Sequence, residues 1–228
     1  MQSDNSRIQS REVIIPLDLI QLEGELVLPA EVKGLVLFAH GSGSSRHSPR
    51  NQYVARVLHE AGIATLLFDL LTADEEELEA YTGHLRFNIP LLAGRLVAAT
   101  RWVARQESTR DLNLGYFGSS TGAAAALVAA AELDGQINSV VSRGGRPDLA
   151  GPALERVTAA TLLIVGGNDT PVIRLNEEAY ARMQCEKALR LIPGATHLFE
   201  EEGALERVAR LASEWFVAHF QPVAQHRP

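Results

Sequence analysis

The segment from Gly118 to Gly122 reads Gly-Ser-Ser-Thr-Gly, which matches the pattern Gly-x-Ser-x-Gly with Ser120 at its centre. An apolar run precedes it and an alanine-rich stretch follows it, as at a sharp turn from a strand into a helix. Such a turn needs small flanking residues and holds the serine in a strained backbone conformation that exposes its hydroxyl. Ser120 is therefore a candidate nucleophile, and the alternative is a serine that only caps the following helix.

A serine hydroxyl needs a base to take its proton, and the base needs an acid to orient it. After a turn of this kind the acid and then the histidine follow along the chain. Asp169 follows the apolar run 161–165, and His197 follows the run 188–192. Because parallel strands present their carboxyl ends at one edge of a sheet, we expect Ser120, Asp169 and His197 to meet there as catalytic residues.

Each of the two partners also has a simpler interpretation. Asp169 precedes Pro171 and is well placed to cap a helix, and His197 taken alone is typical of a surface histidine. Asp148, which follows the run 139–141 at a greater distance, is a rival for the acid. Four other histidines are less suited to the role of base because they lie within a predicted helix, ahead of the serine motif or near the end of the chain: His59, His84, His219 and His226.

A loop of small residues, from His40 to Ser45, follows the apolar run 34–39. Small residues let backbone amides approach a substrate oxygen, so we predict an oxyanion hole made by the amides of Ser42 and Thr121. The alternative is a phosphate-binding loop, but the Gly-Lys-Ser/Thr ending of that motif is missing. His40 is expected to hydrogen-bond within the loop rather than to act as a base.

Arg143 and Arg146 follow another predicted strand and are separated by two glycines. We expect them to help bind a negatively charged acyl substrate, and the alternative is an ordinary loop arginine paired with a carboxylate. The acidic run formed by Asp74 to Glu77 and Glu79 is typical of a solvated face. The segment 71–87 that contains it is long enough to cover the site, and three of its residues are candidates for an apolar wall: Tyr81, Leu85 and Phe87.

Short apolar runs alternate with amphipathic stretches along the whole chain, which indicates a mostly parallel sheet with helices on both faces. Eight strands are predicted at 12–17, 19–28, 34–39, 63–68, 112–117, 139–141, 161–165 and 188–192. Helices are predicted at 49–60, 88–106, 122–133, 173–183 and 203–216. We expect one α/β domain over residues 1–228, with a frayed tail at 221–228.

The composition is that of an ordinary globular protein, with 228 residues of which 46% are hydrophobic and 21% charged. The net charge of −7 and the lack of a Lys/Arg run argue against nucleic-acid binding. Cys185 is the one cysteine, the polar start lacks a signal-peptide pattern, and no apolar run approaches the roughly 18 residues that span a bilayer. We therefore expect a cytoplasmic protein with no membrane partner, and the oligomeric state stays unassigned.

Four motifs together resemble the α/β-hydrolase superfamily, and within it the dienelactone-hydrolase-like group. They are HGSGS at 40–44, GSSTG at 118–122, GGND at 166–169 and GATH at 194–197. The resemblance implies an eight-stranded sheet whose second strand is antiparallel, a triad of Ser120, Asp169 and His197, and an oxyanion hole near Ser42 and Thr121. The sequence departs from dienelactone hydrolase itself, which uses a cysteine nucleophile, because this motif carries a serine.

These features predict a serine hydrolase that cleaves a small-molecule ester, lactone or thioester through an acyl-enzyme, without a cofactor or a metal ion. Only about twenty residues separate the sixth and seventh strands, so we expect no cap domain and an open pocket. Three alternatives remain: a catalytically silent module that binds or regulates, an acyltransferase, and a peptidase using the same triad.

Overall fold

A computed structural model describes residues 8–41 and 43–220 of the chain. The predicted frayed tail at 221–228 lies outside the described residues. Within them the chain forms eight strands: β1 (Gln9–Leu17), β2 (Ile20–Leu28), β3 (Gly34–Ala39), β4 (Ile63–Phe68), β5 (Leu114–Ser119), β6 (Ser139–Arg143), β7 (Ala160–Gly166) and β8 (Lys187–Ile192).

The eight strands form one sheet in the order β1-β2-β4-β3-β5-β6-β7-β8. β2 is antiparallel to both of its neighbours, and every pair from β4 to β8 is parallel. The predicted mostly parallel α/β sheet with an antiparallel second strand is confirmed. The parallel strands β3 to β8 therefore end at one edge, called here the carboxyl edge, where the loops that carry the candidate residues emerge.

Six α-helices accompany the sheet in the described part of the chain: α1 (Pro49–Glu60), α2 (Ala73–Thr82), α3 (Ile89–Val103), α4 (Thr121–Glu132), α5 (Thr170–Arg182) and α6 (Ala204–His219). On one face α1 and α6 bury an apolar core with Phe38, Phe117 and Val141. On the other face α3, α4 and α5 bury a second core. The alanine-rich sequence of α4 lets it pack closely, and ten of its residues are buried.

The predicted elements agree with the structure except at some ends and in two segments. β5 ends two residues later than predicted, because Ser119 pairs with Arg143 of β6. α2 and a kinked 3-10 segment at Pro147–Arg156 were not predicted. As expected, no cap domain is inserted between β6 and β7.

No helix in the described ranges is both long enough and apolar enough to cross a bilayer.

Candidate active site

Ser120 lies between β5 and α4, at a sharp reversal of the backbone. Its φ of 50° and ψ of −124° are unusual for a residue other than glycine. Such a conformation costs on the order of 1–3 kcal/mol and persists only where the surroundings impose it. Although Ser120 occupies the cap position of α4, its side chain makes no capping hydrogen bond. The interpretation of Ser120 as a simple helix cap is therefore wrong.

Close packing around the turn explains its small residues. A Cβ atom on Gly118 would lie 2.5 Å from the Cα of Ala123, and one on Gly122 would lie 2.1 Å from the carbonyl oxygen of Ala39. A Cβ on Gly41 would lie 2.9 Å from the Cβ of Ser120. The glycines thus let the loop after β3 and the start of α4 approach the serine.

Asp169 and His197 form a direct hydrogen bond at the carboxyl edge. Nδ1 of His197 lies 2.7 Å from Oδ2 of Asp169. The Asp169 carboxylate makes no capping bond to α5, so it is not merely a helix cap. An ionised carboxylate only accepts hydrogen bonds, so a neutral imidazole in this pair carries its proton on Nδ1 and has Nε2 as the acceptor. The rival acid Asp148 instead accepts two hydrogen bonds from Arg146.

Hydrogen bonds tie the loop that carries the acid to the loop that carries the histidine. The backbone amide of Asn168 donates to the carbonyl of Ala195 at 2.9 Å, and its side-chain amide donates to the carbonyl of Gly194 at 2.9 Å. Thr196 donates through its hydroxyl and its amide to Glu201, and the hydroxyl bond is the first cause of a lowered pKa of that carboxyl. These hydrogen bonds therefore hold the two loops that carry Asp169 and His197 in a fixed relative position.

The loop after β6 touches both halves of the candidate site. The amide of Arg146 donates to the carbonyl of Ser120 at 3.0 Å. On the other side, a Cβ added to Gly144 would lie 3.5 Å from Cε1 of His197. This loop thus contacts the serine turn through Arg146 and the imidazole through Gly144.

A small cavity of about 20 Å³, partly open to solvent, adjoins the serine turn. Gly41, Gly43 and Thr121 line it, so it lies beside the predicted oxyanion hole. Ser42, the other predicted donor, lies outside the described residues. His40 hydrogen-bonds the carbonyl of Gly41 through Nδ1 and accepts the amide of Leu70 at Nε2, which agrees with the structural role predicted for it.

The other wall of the cavity comes from α2 and the residues around it. Leu71, Glu76, Glu79 and Arg86 line the cavity, whereas the predicted apolar wall of Tyr81, Leu85 and Phe87 is wrong for this cavity. Tyr81 is 85% exposed and Phe87 is 57% exposed, and Leu85 packs against the α3 side core. The acidic run also differs from the prediction, because two of its carboxylates are paired with arginines and do not face only solvent.

Two ion pairs fasten α2. Glu79 is buried and accepts hydrogen bonds from the amide of Leu85 and from the guanidinium of Arg86. Burial raises the pKa of this carboxyl, but the bonds from Arg86 and the backbone outweigh burial and leave the pKa lowered. Glu75 caps α2 together with Thr72 and pairs with the buried Arg95. This region was not predicted from sequence to line the site, although the spacing Thr72-x-x-Glu75 is a capping box, which indicates the start of a helix.

The two arginines predicted to bind an anionic substrate have different surroundings. The Arg146 guanidinium donates to both oxygens of Asp148, at 2.9 and 2.7 Å, as in the alternative interpretation. Arg143 is only 9% exposed, and its Nη1 has no hydrogen-bond partner. Among the described residues, no group of three His, Cys, Asp or Glu side chains is placed to hold a metal ion.

The fold and the arrangement of its loops are those of an α/β-hydrolase. A solved structure of dienelactone hydrolase from Anabaena variabilis is 58% identical to the chain, with a TM-score of 0.92, and the match covers 94% of this chain and 99% of that one. The chain belongs to the dienelactone hydrolase family. No family model matches it.

More distant structures share the fold alone. Est1E from Butyrivibrio proteoclasticus is 17% identical, with a TM-score of 0.75, and the match covers 91% of this chain and 98% of that one.

A protein of Mycobacterium tuberculosis (strain CDC 1551) with the provisional name phosphoribosyl transferase is 54% identical over 212 residues, which are 93% of this chain and 47% of that protein. The chain thus spans about half the length of the curated relatives it matches.

Proposed function

We propose that the chain is a serine hydrolase that cleaves a carboxylic ester, lactone or thioester through an acyl-enzyme on Ser120. The observation that carries this proposal is the positive φ of Ser120, held in a turn where the hydroxyl caps nothing. Its position on the carboxyl edge with the hydrogen-bonded Asp169–His197 pair supplies a base and an orienting acid.

In the proposed reaction, Nε2 of His197 takes the proton of Ser120 as Oγ attacks the substrate carbonyl carbon. The developing oxyanion accepts hydrogen bonds from the backbone amide of Thr121 and from the predicted second donor, Ser42. The imidazolium then gives its proton to the leaving group, and a water molecule releases the acyl group by the same steps in reverse order. Asp169 keeps the imidazole in the tautomer that this sequence needs.

The lining of the cavity supports a small acyl group. The enclosed space is only about 20 Å³, room for about one water molecule, and Glu76, Glu79 and Arg86 make its far wall polar. A long alkyl chain would displace water from these charged groups, at a cost in free energy. We therefore expect short esters, lactones and thioesters to react faster than long-chain esters.

The test is labelling with a fluorophosphonate probe, read by intact mass. We expect one adduct on the wild-type chain and none on Ser120→Ala. Ser119→Ala is the matched control, because it removes the neighbouring hydroxyl and should still be labelled. An unlabelled wild type would favour the silent binding or regulatory module, and a labelled Ser120→Ala would move the nucleophile elsewhere.

We do not extend the name phosphoribosyl transferase to this chain, because more than half of the relatives that bear it lies outside the match. Acyl transfer to another acceptor and peptide cleavage remain alternatives on the same residues, and a panel of acyl acceptors would separate them. The cytoplasmic location, the small-molecule acyl substrate and the independence from cofactors stay predictions.

A further inference from the structure

Arg143, at the end of β6, and two residues at the start of α1 each have a buried polar atom without a partner. Nε of Arg50, Oδ1 of Asn51 and Nη1 of Arg143 are all buried and lack a hydrogen-bond partner. Asn51 is 2% exposed and lies on the sheet-facing side of α1. Buried polar groups are nearly always hydrogen-bonded in folded proteins, so these atoms need an explanation.

The electrostatics of Arg143 point to a missing negative charge. In the described part of the chain it makes no ion pair, whereas the similarly buried Arg95 is paired with Glu75. Burial and, to a smaller extent, the nearby charge of Arg50 together lower the pKa of Arg143 to about 10. The face of the Phe117 ring, 6.0 Å from the guanidinium, offers only a weak attraction.

Arg50 does not supply the missing charge. It is itself a cation, and its own partner Glu200 is largely exposed to solvent. Among the described residues, the charge that acts on Arg143 is thus that of a second cation, and no carboxylate pairs with it. Water would satisfy a hydrogen bond of Nη1 but would not neutralise the charge, whereas an oxyanion would do both.

We propose that Arg143 and Arg50 form a binding site for a small oxyanion, a carboxylate or a phosphate group. The planar fork of a guanidinium matches the oxygens of either group. The site lies beside the candidate active site, because Arg143 directly precedes Gly144, which packs against His197. The anion comes either from the substrate, in which case the inference rests on the proposed function, or from a free phosphate.

The first test measures binding directly and does not depend on catalysis. The full chain is titrated with inorganic phosphate and with acetate, by calorimetry and by the shift in melting temperature. We expect binding by the wild type, a loss of affinity of at least about tenfold in Arg143→Gln, and a smaller loss in Arg50→Gln. Arg210→Gln is the matched control: it changes the net charge equally on an exposed part of α6 and should bind like the wild type.

Stability without the anion separates a ligand site from a structural arginine. If the role of Arg143 is to bind an anion, the melting temperature of Arg143→Gln in anion-free buffer should be no lower than that of the wild type, because the substitution removes an unpaired buried charge. A lower melting temperature, or identical titrations of wild type and Arg143→Gln, would overturn the proposal. If Arg143→Gln does not fold, unchanged affinity in Arg50→Gln and in Arg143→Lys would overturn it instead.

The second test identifies the source of the anion with two esters that differ only in a free or methylated carboxylate. If phosphate inhibits hydrolysis of the carboxylate ester competitively and spares its methylated analogue, the site holds a substrate group. If phosphate binds but inhibits neither ester, the ligand is a free anion. A chain without esterase activity would contradict the proposed function, yet the direct titration would still decide the anion site.

Discussion

Two carboxylates follow neighbouring strands of the same sheet and have different partners. Asp148, after β6, accepts hydrogen bonds from the guanidinium of Arg146, and Asp169, after β7, accepts one from the imidazole of His197. A guanidinium stays protonated at every pH of interest, whereas an imidazole exchanges its proton near neutrality. Similar acids at one edge of a sheet can therefore serve different purposes, depending on the group that each one binds.

The largest expected effect separates the two acids in catalysis. Asp169→Asn should lower kcat by about 10⁴, as in serine proteases, because an amide favours the wrong imidazole tautomer. Asp148→Asn leaves the imidazole and its partner in place and should keep most of the activity. Steady-state kinetics on a short acyl ester decides this, and a larger loss in Asp148→Asn would reverse the assignment of the acid.

The pH profile sharpens the difference between the two partners. Only neutral His197 accepts the serine proton, so kcat/KM should rise with pH, by about tenfold per pH unit on the acidic side, and then level off. Asp148→Asn should preserve this profile, because Arg146 does not titrate in that range. A flat profile from acidic to alkaline pH would argue against a histidine base.

A third pair, Glu75 with the buried Arg95, tests how much a carboxylate contributes to the stability of the fold when its partner cation is buried. Glu75→Gln should lower the free energy of unfolding by roughly 2 kcal/mol at neutral pH, less than for a fully buried pair because Glu75 is partly exposed. Urea denaturation measures the loss. Arg101→Gln, at an exposed pair with Glu132, is the control and should change stability little.

The same pair predicts an acid dependence of stability. The hydrogen bond from Arg95 holds the pKa of Glu75 below its ordinary value of 4.5. The stabilisation is therefore complete above the unfolded pKa and is lost as the pH falls through the folded pKa. The difference between wild type and Glu75→Gln should shrink below about pH 4.5, and a difference that stays constant would contradict the linkage.

The smallest expected effect concerns the Asp148–Arg146 pair. Because both side chains are partly exposed, Asp148→Asn and Arg146→Gln should each cost about 1 kcal/mol of stability, and the double variant should cost little more than either one. Urea denaturation of the three variants gives this coupling. Fully additive losses would mean that the two side chains stabilise the fold independently.

Ser120, Asp169 and His197 could be named as candidates from sequence because each follows an apolar strand directly along the chain. The choice between Asp148 and Asp169 was less certain from sequence, since both stand near the start of a helical segment. The structure distinguishes them by their partners: Asp169 contacts a residue 28 positions away, and Asp148 contacts one two positions away.

The structure of the acidic run could not be predicted from charge alone. Glu75 is stabilised by Arg95, which lies 20 positions further along the chain, and such a pairing depends on how α2 and α3 pack. The lack of a partner for Arg143 is equally a property of the folded chain. Strand alternation places Arg143 on the same face as Val141, but it does not tell whether a carboxylate reaches that face.

The hydrogen bonds of Asn168 have a consequence for motion. Because its amide and its side chain both bind the loop of His197, the acid and the base should move as one rigid unit relative to the serine turn. Thermal fluctuation would then vary the approach of the imidazole to Ser120 while the Asp169–His197 distance stays nearly constant. In hydrogen exchange, the amides of Gly167 and Asn168 should open together, in a single local unfolding event that releases both loops at once.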